Sequence, residues 1–335
     1  MPRSRTLIFA AAGALALAAC SDGSPVTGPS SAPAARFDAS PDGPSRNIFE
    51  IRGQADGASN ALNTASTNTG IFYHGGRVIT TATNVAAIYW AGSTIYSGGP
   101  APGTTGAGSA DGSLVGYFLS NLGGSKYFNI NTTYYNASNV HVVNQVNYTQ
   151  FWANNSFNVP SGTQSVTDPQ IVAMLQNGFN NGKLVYDANT LYAVFTSGKV
   201  NLGGGFGTQY CAYHYSGTVT VGGVSKTVLY AAMPYDYAYP SACSNGTAAP
   251  NGDPGADTEV NTLAHETEET TTDAMGNAWY DRRGYENADK CAWKFGTTAN
   301  NGTGVYNITV GAKQFLVQMN WINAGSGGCK QGLGT

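Results

Sequence analysis

Acidic residues are concentrated in one short stretch of this chain: ten of its nineteen carboxylates lie between residues 253 and 289. Charged residues make up only 10% of the chain, against roughly 25% in an average soluble domain. A fold that otherwise avoids charge must therefore accommodate a dense carboxylate cluster. Solubility alone would spread the charge, so the cluster predicts a cation site or acid–base chemistry. Its members are Asp253, Asp257, Glu259, Glu266, Glu268, Glu269, Asp273, Asp281, Glu286 and Asp289.

The stretch 263–273, Leu-Ala-His-Glu-Thr-Glu-Glu-Thr-Thr-Thr-Asp, contains one of only four histidines. At about 100° per residue, His265 and Glu269 lie one helical turn apart, with Glu266 beside His265. This is the H-E-x-x-H metalloprotease layout with glutamate in place of the second histidine. We predict His265 and Glu269 as zinc ligands and Glu266 as the general base that takes a proton from water. An exposed acidic helix with a chance histidine is the alternative interpretation.

The motif leaves the third metal ligand open. The candidates are Asp273, Asp281, Glu286, Asp289 and His214. Asp273 continues along the same side of the helix, but three ligands on one helix surround a tetrahedral ion poorly. Asp289 is favoured if the chain folds back after the turn at 275–281, and His214 lies on a predicted strand. Tyr280 is a candidate for oxyanion stabilisation through its phenol, or else a core residue.

Several separate motifs give the chain a resemblance to a known family. It resembles the phosphate-induced protein 1, or EXORDIUM-like, family, whose central motif reads approximately H-E-[LI]-x-E-x-x-[TS]-[ND]-P-x-x-N-A-W-Y and is followed by E-I-x-D-x-C. The matching residues are His265, Glu266, Glu269, Thr272, Asp273, Asn277, Ala278, Trp279, Tyr280, Glu286, Asp289 and Cys291. The chain departs from the motif at Ala274, usually proline, and at Thr267, usually aliphatic. Neither position is needed to bind a metal.

The resemblance extends upstream to most of residues 70–293. Similar segments are 73–76 with 85–92, 191–197, 210–214, and the Ala-Pro-Asn-Gly-Asp turn at 249–253. The resemblance implies a role in extracellular growth or cell-wall processes, as for plant members. A peptidase activity is implied only by the helix motif.

The N-terminus predicts export. Arg3 and Arg5 precede an apolar run over residues 7–19, which is too short to span a bilayer and typical of a signal peptide. Leu-Ala-Ala-Cys at 17–20 predicts a lipobox, so that residues 1–20 are a lipoprotein signal peptide and Cys20 carries a lipid anchor. Ordinary cleavage near this point is the alternative. Residues 21–46 are rich in Ser, Pro, Ala and Gly and predict a flexible linker. We expect an exported protein, lipid-anchored to the bacterial cell envelope or extracellular.

An even number of cysteines remains after Cys20, as expected for disulfides in an exported protein. They are Cys211, Cys243, Cys291 and Cys329. Three pairings exist. We predict Cys211–Cys243 with Cys291–Cys329, because each loop then closes locally. A four-cysteine zinc site is the competing interpretation, and the absence of any C-x-x-C spacing disfavours it.

Residues 47–335 are expected to form one large α+β domain. Apolar or alternating runs predict strands at 85–90, 127–135, 140–148 and 191–196, and a hairpin over 210–232. A helix is predicted to begin at Asp168-Pro169, and Asp257 is a candidate N-cap for the motif helix. This order of elements, with a mixed sheet followed by a metal-motif helix, favours a zincin-like fold by analogy.

Two function classes survive. A net charge of -3 gives no electrostatic case for nucleic-acid binding, and the G-x-S-x-G elbow of serine hydrolases is missing from the sequence. The first class is a zinc-dependent hydrolase, peptidase-like, acting as a monomer on a peptide or cell-wall polymer. The second is a non-catalytic cell-envelope or carbohydrate-interacting protein with structural calcium, for which the acidic cluster could supply six to eight oxygens. Imidazole suits zinc better than calcium.

Overall fold

The computed structural model describes residues 47–53 and 70–334, all within one compact unit. The predicted signal peptide, Cys20 and the linker 21–46 lie outside the described residues. The α-helices are α1 (Leu114–Leu122), α2 (Asp168–Asn180), α3 (Pro240–Cys243) and α4 (Pro254–Thr272). Short 3-10 segments are Gly108–Ala110, Phe128–Thr133, Asp236–Ala238 and Asp289–Cys291. The strands are β1 (Asn47–Glu50), β2 (Phe72–Tyr73), β3 (Thr83–Trp90), β4 (Thr105–Ala107), β5 (Val146–Asn154), β6 (Ser165–Val166), β7 (Thr190–Phe195), β8 (Asn201–Leu202), β9 (Tyr210–Val221), β10 (Val224–Met233), β11 (Trp279–Tyr280), β12 (Ala299–Asn300), β13 (Val305–Tyr306), β14 (Ile308–Val310), β15 (Lys313–Phe315), β16 (Asn320–Ile322) and β17 (Gly328–Lys330).

A seven-stranded mixed sheet, in the order β1-β9-β10-β7-β3-β5-β4, forms the centre of the fold. The four inner strands β10, β7, β3 and β5 run parallel, whereas β9, β1 and β4 pair antiparallel with their neighbours. Strands β3 and β7 are almost completely buried, as expected of parallel strands covered on both faces. The prediction of an α+β domain with a mixed sheet is confirmed at this level.

Each face of the sheet supports its own apolar core. On one face, α1 contributes Phe118 and Leu119, and α4 contributes Val260 and Leu263. On the other face, α2 contributes its apolar stripe of Ile171, Met174 and Leu175. The motif helix α4 therefore lies against the sheet next to β9, β10 and β7.

Helix α4 is buried along its whole length although much of it is polar. Its N-cap is Asp253, whose side chain accepts the Ala256 N–H at 3.1 Å, and Pro254 occupies the first turn. Every residue from Gly255 to Thr272 is buried. The apolar side of the helix packs against the sheet. The polar side is also buried, so its side chains need hydrogen-bond or charged partners inside the protein.

The C-terminal segment covers that polar side. Gln318 donates its backbone N–H to Asn261 of α4 at 2.7 Å, and Asn320 donates its amide to Glu268 Oε2 at 2.7 Å. The predicted disulfides are both present: Cys291–Cys329 closes this segment, and Cys211–Cys243 ties β9 to α3. The pairing predicted from local loop closure is confirmed.

Three local predictions were wrong. The strand predicted over 140–148 begins only at Val146 and continues to Asn154, and the stretch before it contains an isolated bridge at His141. Residues 128–133 form a 3-10 turn rather than a strand, because Thr132 and Thr133 bond their hydroxyls back to the backbone three residues earlier. The motif helix begins one turn before Asp257. That carboxylate instead accepts hydrogen bonds from the backbone N–H and amide of Asn251, at 3.0 and 2.7 Å.

Candidate metal centre

The structure brings His265, Glu269 and Asp289 together. His265 Nε2 lies 3.1 Å from Glu269 Oε1 and 3.5 Å from Asp289 Oδ1, and one potential ligand atom from each of the three residues falls within 4.8 Å of the others. Asp289 reaches this place because the chain folds back after the turn at 275–281. These are the two helix ligands predicted from the motif and the favoured third candidate.

A second group shares Glu269. His214, on β9, places Nδ1 at 3.2 Å from Glu266 Oε2 and at 3.6 Å from Glu269 Oε2. Its Nε2 lies 3.9 Å from Glu286 Oε2. The predicted candidate His214 is therefore within the cluster, and its shortest contact is with the predicted base. Glu286, one of the five third-ligand candidates, lies at the edge of this second group.

Backbone hydrogen bonds hold the returning chain against α4. The Asp289 N–H donates to Glu269 Oε1 at 3.0 Å, and the Glu286 N–H donates to Asp289 Oδ2 at 3.0 Å. The adjacent disulfide at Cys291 fixes the same turn. The Asp289 carboxylate is thus positioned by a backbone hydrogen bond from the same turn.

The donor atoms fit a bound cation. Zinc ligands at about 2.1 Å from a tetrahedral ion lie about 3.4 Å from one another, close to the separations around His265. Both ring nitrogens of His265, and Glu266 Oε1, are buried and have no hydrogen-bond partner of good geometry within the part of the chain that the structure describes. Buried polar atoms normally have partners, so these orphaned atoms are consistent with a site that takes an ion.

Several ionisable side chains lie close together in the buried cluster, and they shift one another's pKa values. Burial opposes the charged imidazolium of His265, but Glu269 and Asp289 outweigh it and hold its pKa above the usual range. Burial is the main cause that raises the pKa of Glu266, and the carboxylates of Glu269 and Asp289 raise it further. Without a metal, bound protons must offset the negative charge of the carboxylates. A divalent cation would displace those protons.

Two other predicted site residues have different surroundings. Asp273 caps α4, and its Oδ1 accepts the backbone N–H groups of Asn277 and Ala278, each at 2.6 Å. It belongs to neither three-residue group. Tyr280 stacks on His74, with ring centroids 3.7 Å apart. The roles predicted for Asp273 and Tyr280 stay predictions, and the described contacts link neither side chain to His265.

Sequence reasoning missed an aromatic cover over the cluster. The Phe49 ring stacks on the His265 imidazole, with centroids 4.2 Å apart, and on Trp293, with centroids 4.7 Å apart. Phe49 is fully buried. An isolated Phe some 200 residues before the motif carries no sequence signal for this contact, because it depends on β1 joining the edge of the sheet beside β9.

A third group of potential ligands is not a metal site. Asp236 lies near Cys211 and Cys243, but the two sulfurs are joined in a disulfide. A thiolate, not a disulfide sulfur, is the metal ligand. The candidate centre therefore consists of the histidine–carboxylate cluster at α4.

The fold and the cluster together define an α+β protein with a helix-borne candidate metal centre. This chain belongs to the phosphate-induced protein 1 family, whose conserved region matches residues 122–321. No curated protein and no solved structure matches the chain. Two disulfides indicate an extracellular or otherwise oxidising environment. Within 47–53 and 70–334, none of the helices combines the length and apolar character needed to cross a membrane.

Proposed function

We propose that this protein is an exported, zinc-dependent hydrolase with peptidase-like chemistry, in which His265, Glu269 and Asp289 hold the ion. The observation that carries the proposal is the convergence of one imidazole and two carboxylates at ligand-like spacing, with Glu266 beside them. Three protein ligands leave a position for water or substrate, as in catalytic rather than structural zinc sites.

The donor set favours zinc over calcium. Calcium takes six to eight oxygens, and an imidazole near the middle of a cluster is a poor substitute for one of them. Zinc accepts nitrogen and carboxylate oxygen together. When bound, zinc would polarise a carbonyl group and lower the pKa of a water molecule.

The remaining residues then take distinct roles. Glu266 follows His265 directly and would accept the proton that water loses on attacking a carbonyl. His214 donates toward Glu266 Oε2 at 3.2 Å when its proton is on Nδ1, and so would orient that carboxylate. Its 3.6 Å contact with Glu269 also keeps it a candidate ligand. Asp273 would act on the centre through the end of α4, since its carboxylate holds the following turn.

A motif helix packed against a mixed sheet supports a zincin-like arrangement, which we infer by analogy. The substrate class that follows is a peptide or a cell-wall polymer outside the cell. We propose a monomer.

Metal analysis tests the proposal directly. Protein purified without chelator should contain about one equivalent of zinc, and His265→Ala should lose it because one of three ligands is removed. His141→Ala is the matched control, since His141 is exposed and bonds the Thr132 carbonyl instead. Zinc retained in His265→Ala, or absent from the wild type, would reject the assignment.

The burial of the cluster favours one second candidate function. His265, Glu266 and Glu269 are all fully buried, and closed sites are typical of structural metals. A non-catalytic cell-envelope or carbohydrate-interacting protein with structural calcium would then lose thermal stability in Glu269→Gln or Asp273→Asn, yet tolerate Glu266→Gln. Calcium without zinc in the purified protein would favour this alternative.

Lipid anchoring at Cys20 is part of the proposal. We expect the wild type to partition with membranes, and Cys20→Ser to be released or to accumulate as uncleaved precursor. Fractionation followed by mass spectrometry of the mature N-terminus measures this. A soluble wild type whose N-terminus starts elsewhere would contradict the lipobox.

A further inference from the structure

Strand β1 occupies a sheet edge that would otherwise be formed by β9. Among the described strands it pairs with β9 alone, in antiparallel direction, with Asn47 opposite His214 and Phe49 opposite Ala212. An unpaired strand edge presents N–H and C=O groups that add an extended peptide readily. Because β9 carries His214, a peptide bound there would run directly past the candidate metal centre.

The side chain of Phe49 fills a slot between two aromatic surfaces. On one side is the His265 imidazole, 29° from parallel, and on the other is the Trp293 indole, 19° from parallel. Both contacts have stacked geometry, which favours a flat aromatic side chain over an aliphatic one. The Phe49 ring thus covers the histidine of the motif.

Trp293 is held in an unusual conformation at this slot. Its φ is +59°, in the left-handed region that bulky residues rarely adopt. Its indole Nε1–H donates to the Glu50 carbonyl at 3.0 Å, so the same residue contacts both the side chain and the backbone of β1. Backbone strain of this kind persists where the surrounding structure enforces it, and it is concentrated at functional sites.

We propose that β1 is a displaceable strand that blocks the candidate centre, and that the slot between His265 and Trp293 binds an aromatic side chain of an extended peptide. The proposal rests on the proposed function, because the slot would place a bound peptide beside the candidate metal centre. In this structure the chain supplies its own Phe49 to the slot. A substrate peptide would displace β1, pair antiparallel with β9 and insert its own aromatic residue.

The test severs the covalent link between β1 and the rest of the domain after the protein has folded, so that β1 is held only by non-covalent contacts. A recognition site for a specific protease is inserted into the full chain after residue 60, within 54–69, and the folded protein is cut. The Glu266→Gln background prevents hydrolysis of the probe. The probe is a fluorescent peptide with the sequence of residues 45–53, Ser-Arg-Asn-Ile-Phe-Glu-Ile-Arg-Gly, and its binding is measured by anisotropy.

We expect saturable binding to the cut protein, and binding at least about tenfold weaker to the uncut protein, where β1 competes from the same chain. Replacing the probe's phenylalanine with alanine should weaken binding at least about tenfold, whereas tyrosine should preserve it. Equal binding of the phenylalanine and alanine probes, or failure of the cut protein to bind either, would overturn the proposal. Phenylalanine-dependent binding by a protein that hydrolyses nothing would retain this inference and reject only the hydrolase. Hydrolysis at a rate that depends neither on the aromatic residue of the substrate nor on cleavage of the chain after β1 would retain the hydrolase and reject this inference.

Discussion

Replacing Glu266 with glutamine should leave the metal in place and lower hydrolysis by a factor on the order of 10² or more. Glutamine keeps the size of the side chain, and its amide oxygen can still accept a hydrogen bond from His214, whose Nδ1 lies 3.2 Å from Glu266 Oε2. It cannot take a proton from water. Peptide libraries incubated with wild type and variant would report the loss without assuming a substrate, and metal analysis would report the ion.

Glu268→Gln is the matched control. Glu268 is equally buried and lies on the same helix, but its Oε2 accepts the Asn320 amide at 2.7 Å and it belongs to neither ligand group. We expect it to keep both metal and hydrolysis. Identical digestion by wild type and Glu266→Gln, together with no bound transition metal, would reject the hydrolase and leave the calcium-stabilised binding protein.

The helix-borne half of the candidate centre was predictable because it is local. The spacing of His265, Glu266 and Glu269 determines their relative positions on any α-helix. The disulfide pairing was predictable for the same reason, since each bond closes a local loop. Asp289 required only that the chain fold back after a turn, and the structure places it 3.5 Å from His265.

The rest of the site depends on long-range pairing that no local pattern encodes. Phe49 meets His265 only because β1 joins the sheet at β9, across more than 150 residues of sequence. His214 faces Glu266 because β9 packs beside α4. The strand predicted over 127–135 is absent because of local interactions. Alternating Tyr, Asn and Thr suits a strand, but the Thr132 and Thr133 hydroxyls donate to backbone carbonyls three residues earlier, in a 3-10 segment.

Helix α4 also contributes Glu259 to a buried acidic pair with Asp236 of the 3-10 turn Asp236–Ala238, and the metal proposal does not use this pair. Glu259 Oε2 accepts the Asp236 N–H at 3.3 Å, and the Thr262 hydroxyl donates to Asp236 Oδ2. Burial raises the pKa of Glu259 to about 8, and burial together with Glu259 raises that of Asp236. Tyr96 lies near both carboxylates, and Tyr235 lies near Glu259. At neutral pH the pair therefore retains protons that an unfolded chain would release.

This pair should make the protein less stable as pH rises. The folded pKa of Glu259 lies above its unfolded value of 4.5, so its contribution to the free energy of unfolding is complete below about pH 4.5 and is lost as pH rises through about 8. The loss is on the order of a few kcal/mol, at about 1.4 kcal/mol per pKa unit. Glu259→Gln, which mimics the protonated acid, should flatten this decline between about pH 5 and 8 in urea unfolding. Repeating the comparison in the His265→Ala background removes the titration of His265. Equal losses of stability in the wild type and the Glu259→Gln variant over that range would show that other groups cause the decline.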